Sequence, residues 1–243
     1  MSAFSPHALR GTNAFDAHAG LQAVLWDMDG TIVDTEPYWI AAEKDLVHRH
    51  GGQWNDEDAF RLVGQALPTS AAMLRDAGVD LGIREIIDDL TARVIEGLRA
   101  ETVFRPGARE LLADLREHGV PCALVTMSEE PLARLVAEAL PPGTFRFLVT
   151  GDMVSAGKPD PEPYHLAFDT MAAHVEGLQR SRVVAVEDSV PGVRSAVASG
   201  TPTIAVPHIA SLPSDGGWTV WPTLKGMDAS DLDAFVMTAG ATA

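Results

Sequence analysis

The sequence predicts an α/β fold in which a parallel-sheet core carries a small inserted α-helical domain, and three observations predict it. Residues 21–26, Leu-Gln-Ala-Val-Leu-Trp, make an apolar run of strand length that stops on two carboxylates, Asp27 and Asp29, and a glycine, Gly30. Beyond residue 104, strand-length apolar runs alternate with helical patterns, the rhythm of βαβ units. Between these two regions, over 35–103, the pattern is helical and holds no convincing buried strand. The chain therefore divides into a loose N-terminal tail (1–20), a core built from 21–34 and 104–243, and a helical domain over 35–103.

Taken in order, Thr35 or Asp34 is expected to cap a first helix with Glu36 and Pro37 in its opening turn, which runs to His50 and stops at Gly51-Gly52. Residues 57–62, 69–77 and 83–98 read as amphipathic helices, separated by Gly64, Pro68 and Gly78. Phe104-Arg105-Pro106-Gly107 marks the return to the core, and a helix over 108–118 ends at Gly119. Strands follow over 120–126, 145–150, 182–186 and 202–206, with helices over 131–140, 162–173 and 190–199 between them. Residues 218–221 add an edge strand, 230–237 a last helix, and 207–217 the most mobile loop.

With 243 residues and 46% hydrophobic content the chain has ample material for a folded core. A formal charge of −16 argues against nucleic acid or an anionic membrane as partner, because their phosphates would be repelled. A phosphorylated substrate must instead be drawn to a local cation. Lysine stands only at Lys44, Lys158 and Lys225, so a lysine inside a motif is informative. The single cysteine, Cys122, excludes an internal disulfide, and its apolar surroundings suggest a core thiol. The sequence has neither a membrane-spanning apolar stretch nor a signal peptide, so a cytoplasmic monomer is expected.

Side chains alternate along a strand, so Asp27 and Asp29 can point the same way, at the carboxyl end where open α/β sheets place their ligands. Two crowded acids repel, and a bound cation or a proton relieves them. Three further spots lie at the ends of later strands. Thr126-Met127-Ser128 offers a hydroxyl and a backbone N–H for phosphoryl oxygens, although a threonine there can equally be a helix cap. Lys158, between Gly157 and Pro159, offers an ammonium, the natural point-charge partner of a phosphoryl group. Glu187 and Asp188 close the run Val183-Val184-Ala185-Val186, and buried acids need a cation to offset desolvation. A calcium loop fits poorly, because an apolar strand precedes Asp27 and Thr31-Ile32-Val33 follows.

Asp27-Met28-Asp29-Gly30-Thr31 resembles the first motif of the haloacid dehalogenase-like superfamily, and the order Asp-x-Asp, Thr, Lys, Glu-Asp extends the resemblance over about 21–206. It implies a Rossmann-like core with a helical cap, similar to the subfamily of β-phosphoglucomutase and small sugar-phosphate phosphatases. It further implies an Mg2+-dependent phosphatase in which Asp27 attacks phosphorus and Asp29 is the general acid, then base. Asp27 and Asp188 would bind Mg2+ directly, Glu187 directly or through an intermediary, and Asp29 through its backbone carbonyl; Lys158, Thr126 and Met127 would hold the transferring group. Glu36 and Gln65, with Trp39, Arg61 and Gly64, are the expected cap contacts to a small phosphorylated substrate, and 34–37 and 104–106 the cap hinges.

Three alternatives share parts of this pattern. A hexose-phosphate mutase needs a second cationic phosphate site in the cap, where this chain offers Trp39 and no lysine beyond Lys44. A phospho-acceptor receiver module also gathers acids, Thr and Lys around one aspartate, but needs neither Asp29 nor so large an insert. A dehalogenase would not need the metal-binding acids.

Overall fold

The computed structural model describes residues 20–209, 211–213 and 216–239. Of the tail expected over 1–20, residues 1–19 lie outside the described residues, as do residues 210, 214 and 215 of the loop expected over 207–217. Among the described residues, six strands form one sheet: β1 (Ala23–Trp26), β2 (Cys122–Val125), β3 (Leu148–Val149), β4 (Val183–Glu187), β5 (Thr203–Ala205) and β6 (Thr219–Val220). All pairings are parallel, in the order β3-β2-β1-β4-β5-β6. The chain thus leaves β1 toward one edge and returns beside β1 as β4, which opens a crevice at the carboxyl ends of those two strands. Trp26 lies in register with Val186, so Asp27 and the Glu187-Asp188 pair emerge side by side.

The pleat sorts the core. Val24 and Trp26 face one side, packing with Leu111 and Leu115 of α5 (Ala108–Glu117), Leu132 and Val136 of α6 (Glu130–Glu138) and Leu232 of α9 (Ala229–Ala239). Ala23 and Leu25 face the other, with Ala123 and Ala185 leaving room for Tyr164, Ala167 and Met171 of α7 (Glu162–Ala172) and Ala196 of α8 (Val190–Ala198). Every β1, β2 and β4 residue is buried, which is why these strands read as continuous apolar runs. Cys122 lies in this core, where burial pushes its thiol up to about 12.

Four helices fill the insert: α1 (Glu36–Arg49), α2 (Asp56–Phe60), α3 (Leu67–Asp76) and α4 (Ile83–Ala100). They bury a separate cluster in which Leu46, Leu74, Ile86 and Leu90 are almost fully inaccessible, and cross-helix pairs Arg49–Asp89 (2.6 Å) and Arg93–Asp45 (2.8 Å) bind α1 to α4 outside it. The two connections to the core run antiparallel: the Asp34 N–H donates to the Val103 carbonyl and the Arg105 N–H to the Ile32 carbonyl, each at 2.8 Å. The cap rests on the core through the Arg84 guanidinium, which grips both oxygens of Glu129 at 2.5 and 2.8 Å.

Two expectations change. Thr35 does not cap α1 with its side chain, because its hydroxyl donates to Asp29 instead; the insert's capping box belongs to Asn55, ahead of α2. The strand expected over 145–150 contracts to Leu148–Val149, because it is an edge strand whose pairing depends on β2 alone; the Arg146 N–H still reaches the Cys122 carbonyl at 2.8 Å.

Candidate active site

Lys158 is the hub of the crevice. Its ammonium donates to Asp27 Oδ1 at 2.7 Å, to Glu187 Oε1 at 2.6 Å and to the Val125 carbonyl at 2.9 Å, which uses all three of its N–H bonds. Burial alone would pull this lysine down, but Asp27 and Glu187 overrule it and hold the ammonium above its ordinary value. Glu187 is fully buried and its oxygens are well occupied: Oε1 also accepts from Tyr164 Oη at 3.0 Å, and Oε2 accepts from the Asp188 and Ser189 N–H groups and the Ser189 hydroxyl. Glu187 therefore ties the lysine to the turn that opens α8.

Asp29 faces a different set of groups. Its Oδ1 accepts from Thr35 Oγ1 (2.7 Å) and Trp39 Nε1 (3.2 Å), and its Oδ2 from Thr126 Oγ1 (2.9 Å) and Ser128 Oγ (2.8 Å). Core and cap thus both aim this carboxylate. The Thr126 oxygen in turn accepts from the Ser128 N–H at 3.0 Å, while the Met127 N–H makes no hydrogen bond among the described residues.

The remaining acids suit a hard divalent cation. Oxygens of Asp27, Glu187 and Asp188 lie within 4.8 Å of one another, and all three residues are buried. Asp27 Oδ2 is buried with no hydrogen-bond partner, a state that costs about 1–3 kcal/mol unless a cation or a proton takes it. Burial first, then Glu187 and Asp29, push Asp27 up to about 7 against the pull of Lys158. Asp188 is driven well above its ordinary value by burial and by Asp27 and Glu187. Three crowded carboxylates share one ammonium, so negative charge is left for a metal to balance. Gly30 keeps the space open: its φ is +84°, and a Cβ there would stand 2.1 Å from Asp188 Oδ2.

Above these groups the cap encloses a cavity of about 60 Å³, lined by Asp27, Asp29, Met127, Ser128 and Lys158 from the core and by Glu36, Trp39, Glu43, Gly64, Gln65 and Ser70 from the cap. Gly64 comes so close to the core that a Cβ would lie 2.6 Å from Ser189 Oγ, which requires glycine at this contact. The expected site residues Asp27, Asp29, Thr126, Met127, Lys158, Glu187, Asp188, Glu36 and Gln65 are thereby gathered around one crevice and its roof. Arg61 is not among the lining residues; its guanidinium pairs with Asp58 at 2.6 Å on the surface, because the two stand three apart on one helical turn. Sequence reasoning passed over Glu43, Ser70, Tyr164 and the hydroxyl of Ser128. Glu43 was recoverable, since seven residues after Glu36 it shares the same face of α1.

The chain belongs to the haloacid dehalogenase-like hydrolases, whose family model matches residues 24–206, from β1 to the end of β5. Among its relatives, the phosphorylated carbohydrates phosphatase of Thermotoga maritima is 31% identical over 191 residues, covering 74% of this chain and 82% of that protein. Hexitol phosphatase A of Escherichia coli is 34% identical over 194 residues, 78% of this chain and 84% of its own. The crystal structure of CbbY from Rhodobacter sphaeroides in complex with phosphate matches at a TM-score of 0.77 and 24% identity, over 88% of this chain and 99% of that one, a likeness of fold. Like these phosphatases, the protein is a phosphoric monoester hydrolase.

Proposed function

We propose that the protein hydrolyses a small phosphorylated sugar or polyol, with Mg2+, through an aspartyl-phosphate on Asp27. The observation that carries this reading is the buried Asp27, paired to Lys158 through one oxygen and left without a partner on the other. Asp27 and Asp188 would hold Mg2+, with the backbone carbonyl of Asp29 as the family resemblance implies and Glu187 bracing Lys158; the ion supplies charge that lets an anionic oxygen approach an anionic phosphoryl group. The names of the carbohydrate and hexitol phosphatases support the substrate class.

Asp27 attacks phosphorus in line, the ester P–O bond breaks, and Asp29 protonates the departing oxygen. Water then attacks the aspartyl-phosphate, giving its proton to Asp29 and releasing inorganic phosphate. When Asp27 bonds to phosphorus its claim on Lys158 weakens, so one ammonium N–H can turn to a phosphoryl oxygen. The unbonded Met127 N–H offers a second donor, and the Thr126 hydroxyl aims Asp29 and can reach the same group. The cap excludes water while this occurs. A mutase would have to seat a second phosphate, and Lys158 is the one cation among the described cavity-lining residues. The reading includes a monomer working in the cytoplasm; among the described residues no helix is long and apolar enough to cross a membrane.

The test is phosphate release from p-nitrophenyl phosphate by the purified protein. Activity should vanish with EDTA, return with Mg2+ and be absent from Asp27→Asn; full turnover by that variant would remove the nucleophile assignment.

A further inference from the structure

The cap side of the cavity is built from polar groups still waiting for partners. The Glu36 side chain lies in the cavity wall, only 6% exposed, and makes no hydrogen bond among the described residues. The Ser70 hydroxyl on α3, in a residue 5% exposed, is equally unpartnered. Glu43, 5% exposed, is held by Trp54 Nε1 at 3.2 Å through Oε2, and its Oε1 makes no hydrogen bond among the described residues. Their unbonded oxygens open on the cavity instead of being sealed inside the protein, so they are available to hydrogen-bond whatever enters it. Glu36 and Glu43 stand two helical turns apart on one face of α1, about 10 Å along its axis, and so form a line running from Asp29 into the cap. No cation answers them: Lys158 is the sole lysine, arginine or histidine among the described lining residues, and its three N–H bonds are spent.

Resting on the phosphatase reading above, we infer that Glu43, together with Glu36 and Ser70, selects substrates whose end away from the phosphate is uncharged and rich in hydroxyls, and rejects those carrying a second anion. A carboxylate or second phosphate placed there would meet two carboxyl groups and no cation, so nothing would offset the loss of its hydration, whether those carboxyls are ionised or not. An ammonium end would need both acids ionised, which burial resists: it raises Glu36 to about 8, with Asp29 and Glu43 adding, and Glu43 to about 7. A carboxylic acid donates one hydrogen bond and accepts others, and a hydroxyl does the same, so the match is with a polyol.

The experiment compares kcat/KM of the full chain with Mg2+ on matched pairs differing at one end: sorbitol 6-phosphate against 6-phosphogluconate, and glycerol 3-phosphate against 3-phosphoglycerate. The alcohol member of each pair should exceed its acid by at least about tenfold, and the 1-amino analogue of sorbitol 6-phosphate should not exceed the parent. Glu43→Gln should narrow the alcohol-to-acid ratio by about tenfold, chiefly through a lower KM for the acid. Ratios below tenfold in wild type, preference for the amine, or an unchanged ratio in Glu43→Gln would each overturn the inference; should that variant not fold, the wild-type ratios decide alone. p-Nitrophenyl phosphate separates the two levels: no turnover of any ester defeats the phosphatase reading, whereas turnover without discrimination defeats only this one.

Discussion

Exchanging Lys158 for methionine keeps the side chain's length and removes its charge, and the structure permits the consequence to be worked out. The ammonium satisfies Asp27 at 2.7 Å and Glu187 at 2.6 Å, and all three side chains are less than a tenth exposed. Breaking a buried pair by removing one partner typically costs about 3–5 kcal/mol, because the other charge stays buried and unpaired. For a chain of this size that corresponds to a fall in Tm of about 6 to 20 °C. The deficit should depend on pH in a stated direction. Asp27 has its pKa raised to about 7, so above that value it is ionised and needs the lysine. As pH falls through 7 toward 5 Asp27 takes up a proton, the lysine keeps only Glu187 of its two carboxylate partners, and the deficit of the variant shrinks without vanishing. Thermal melts of both proteins in EDTA between pH 5 and 8 provide the assay, with Mg2+ added in a parallel series to replace part of the missing charge. A deficit under about 1 kcal/mol at pH 8, the value of an exposed ion pair, or one independent of pH, would refute the view of Lys158 as the buried counter-charge of this site.

Three further outcomes can be checked. Gly30→Ala forces a left-handed backbone on a residue with a side chain, at about 1–2 kcal/mol, and drives its Cβ into Asp188; calorimetric titration should show Mg2+ affinity reduced about tenfold or more. Burial lifts Glu43 from its ordinary 4.5 to about 7, so wild-type stability is fully present below 4.5 and declines as pH rises through 7. Glu43→Gln keeps an acceptor for Trp54 without the charge, and denaturant titrations should find it more stable than wild type by about 3 kcal/mol at pH 8 and equal at pH 4.5. Arg84→Ala releases the grip of the cap on Glu129, but the arginine side chain is 54% exposed, so the pair is worth under about 1 kcal/mol and KM should move by less than about fivefold.

The sheet was legible because its evidence is local. Three fully buried parallel strands read as unbroken apolar runs, and Asp27, Thr126 and the Glu187-Asp188 pair stand out where such a run ends, whereas Lys158 stands out because lysine is scarce and this one lies between Gly157 and Pro159. The helices of the insert were legible for the same reason, through a 3.6-residue period that needs no knowledge of the partner. The strand over 145–150 was overestimated because an edge strand's extent is set by its neighbour.

By itself, then, the order of residues determined which chemistry the molecule carries and at which end of the sheet it stands, since strand polarity and side-chain alternation follow from covalent geometry. Folding alone decided how those groups are used: that Glu187 faces a lysine 29 residues away, that the Thr35 hydroxyl bonds Asp29 instead of capping α1, and that two acids of α1 meet Ser70 around one cavity. Hydrogen bonds act over about 3 Å, and which atoms come that close is a property of packing between distant segments.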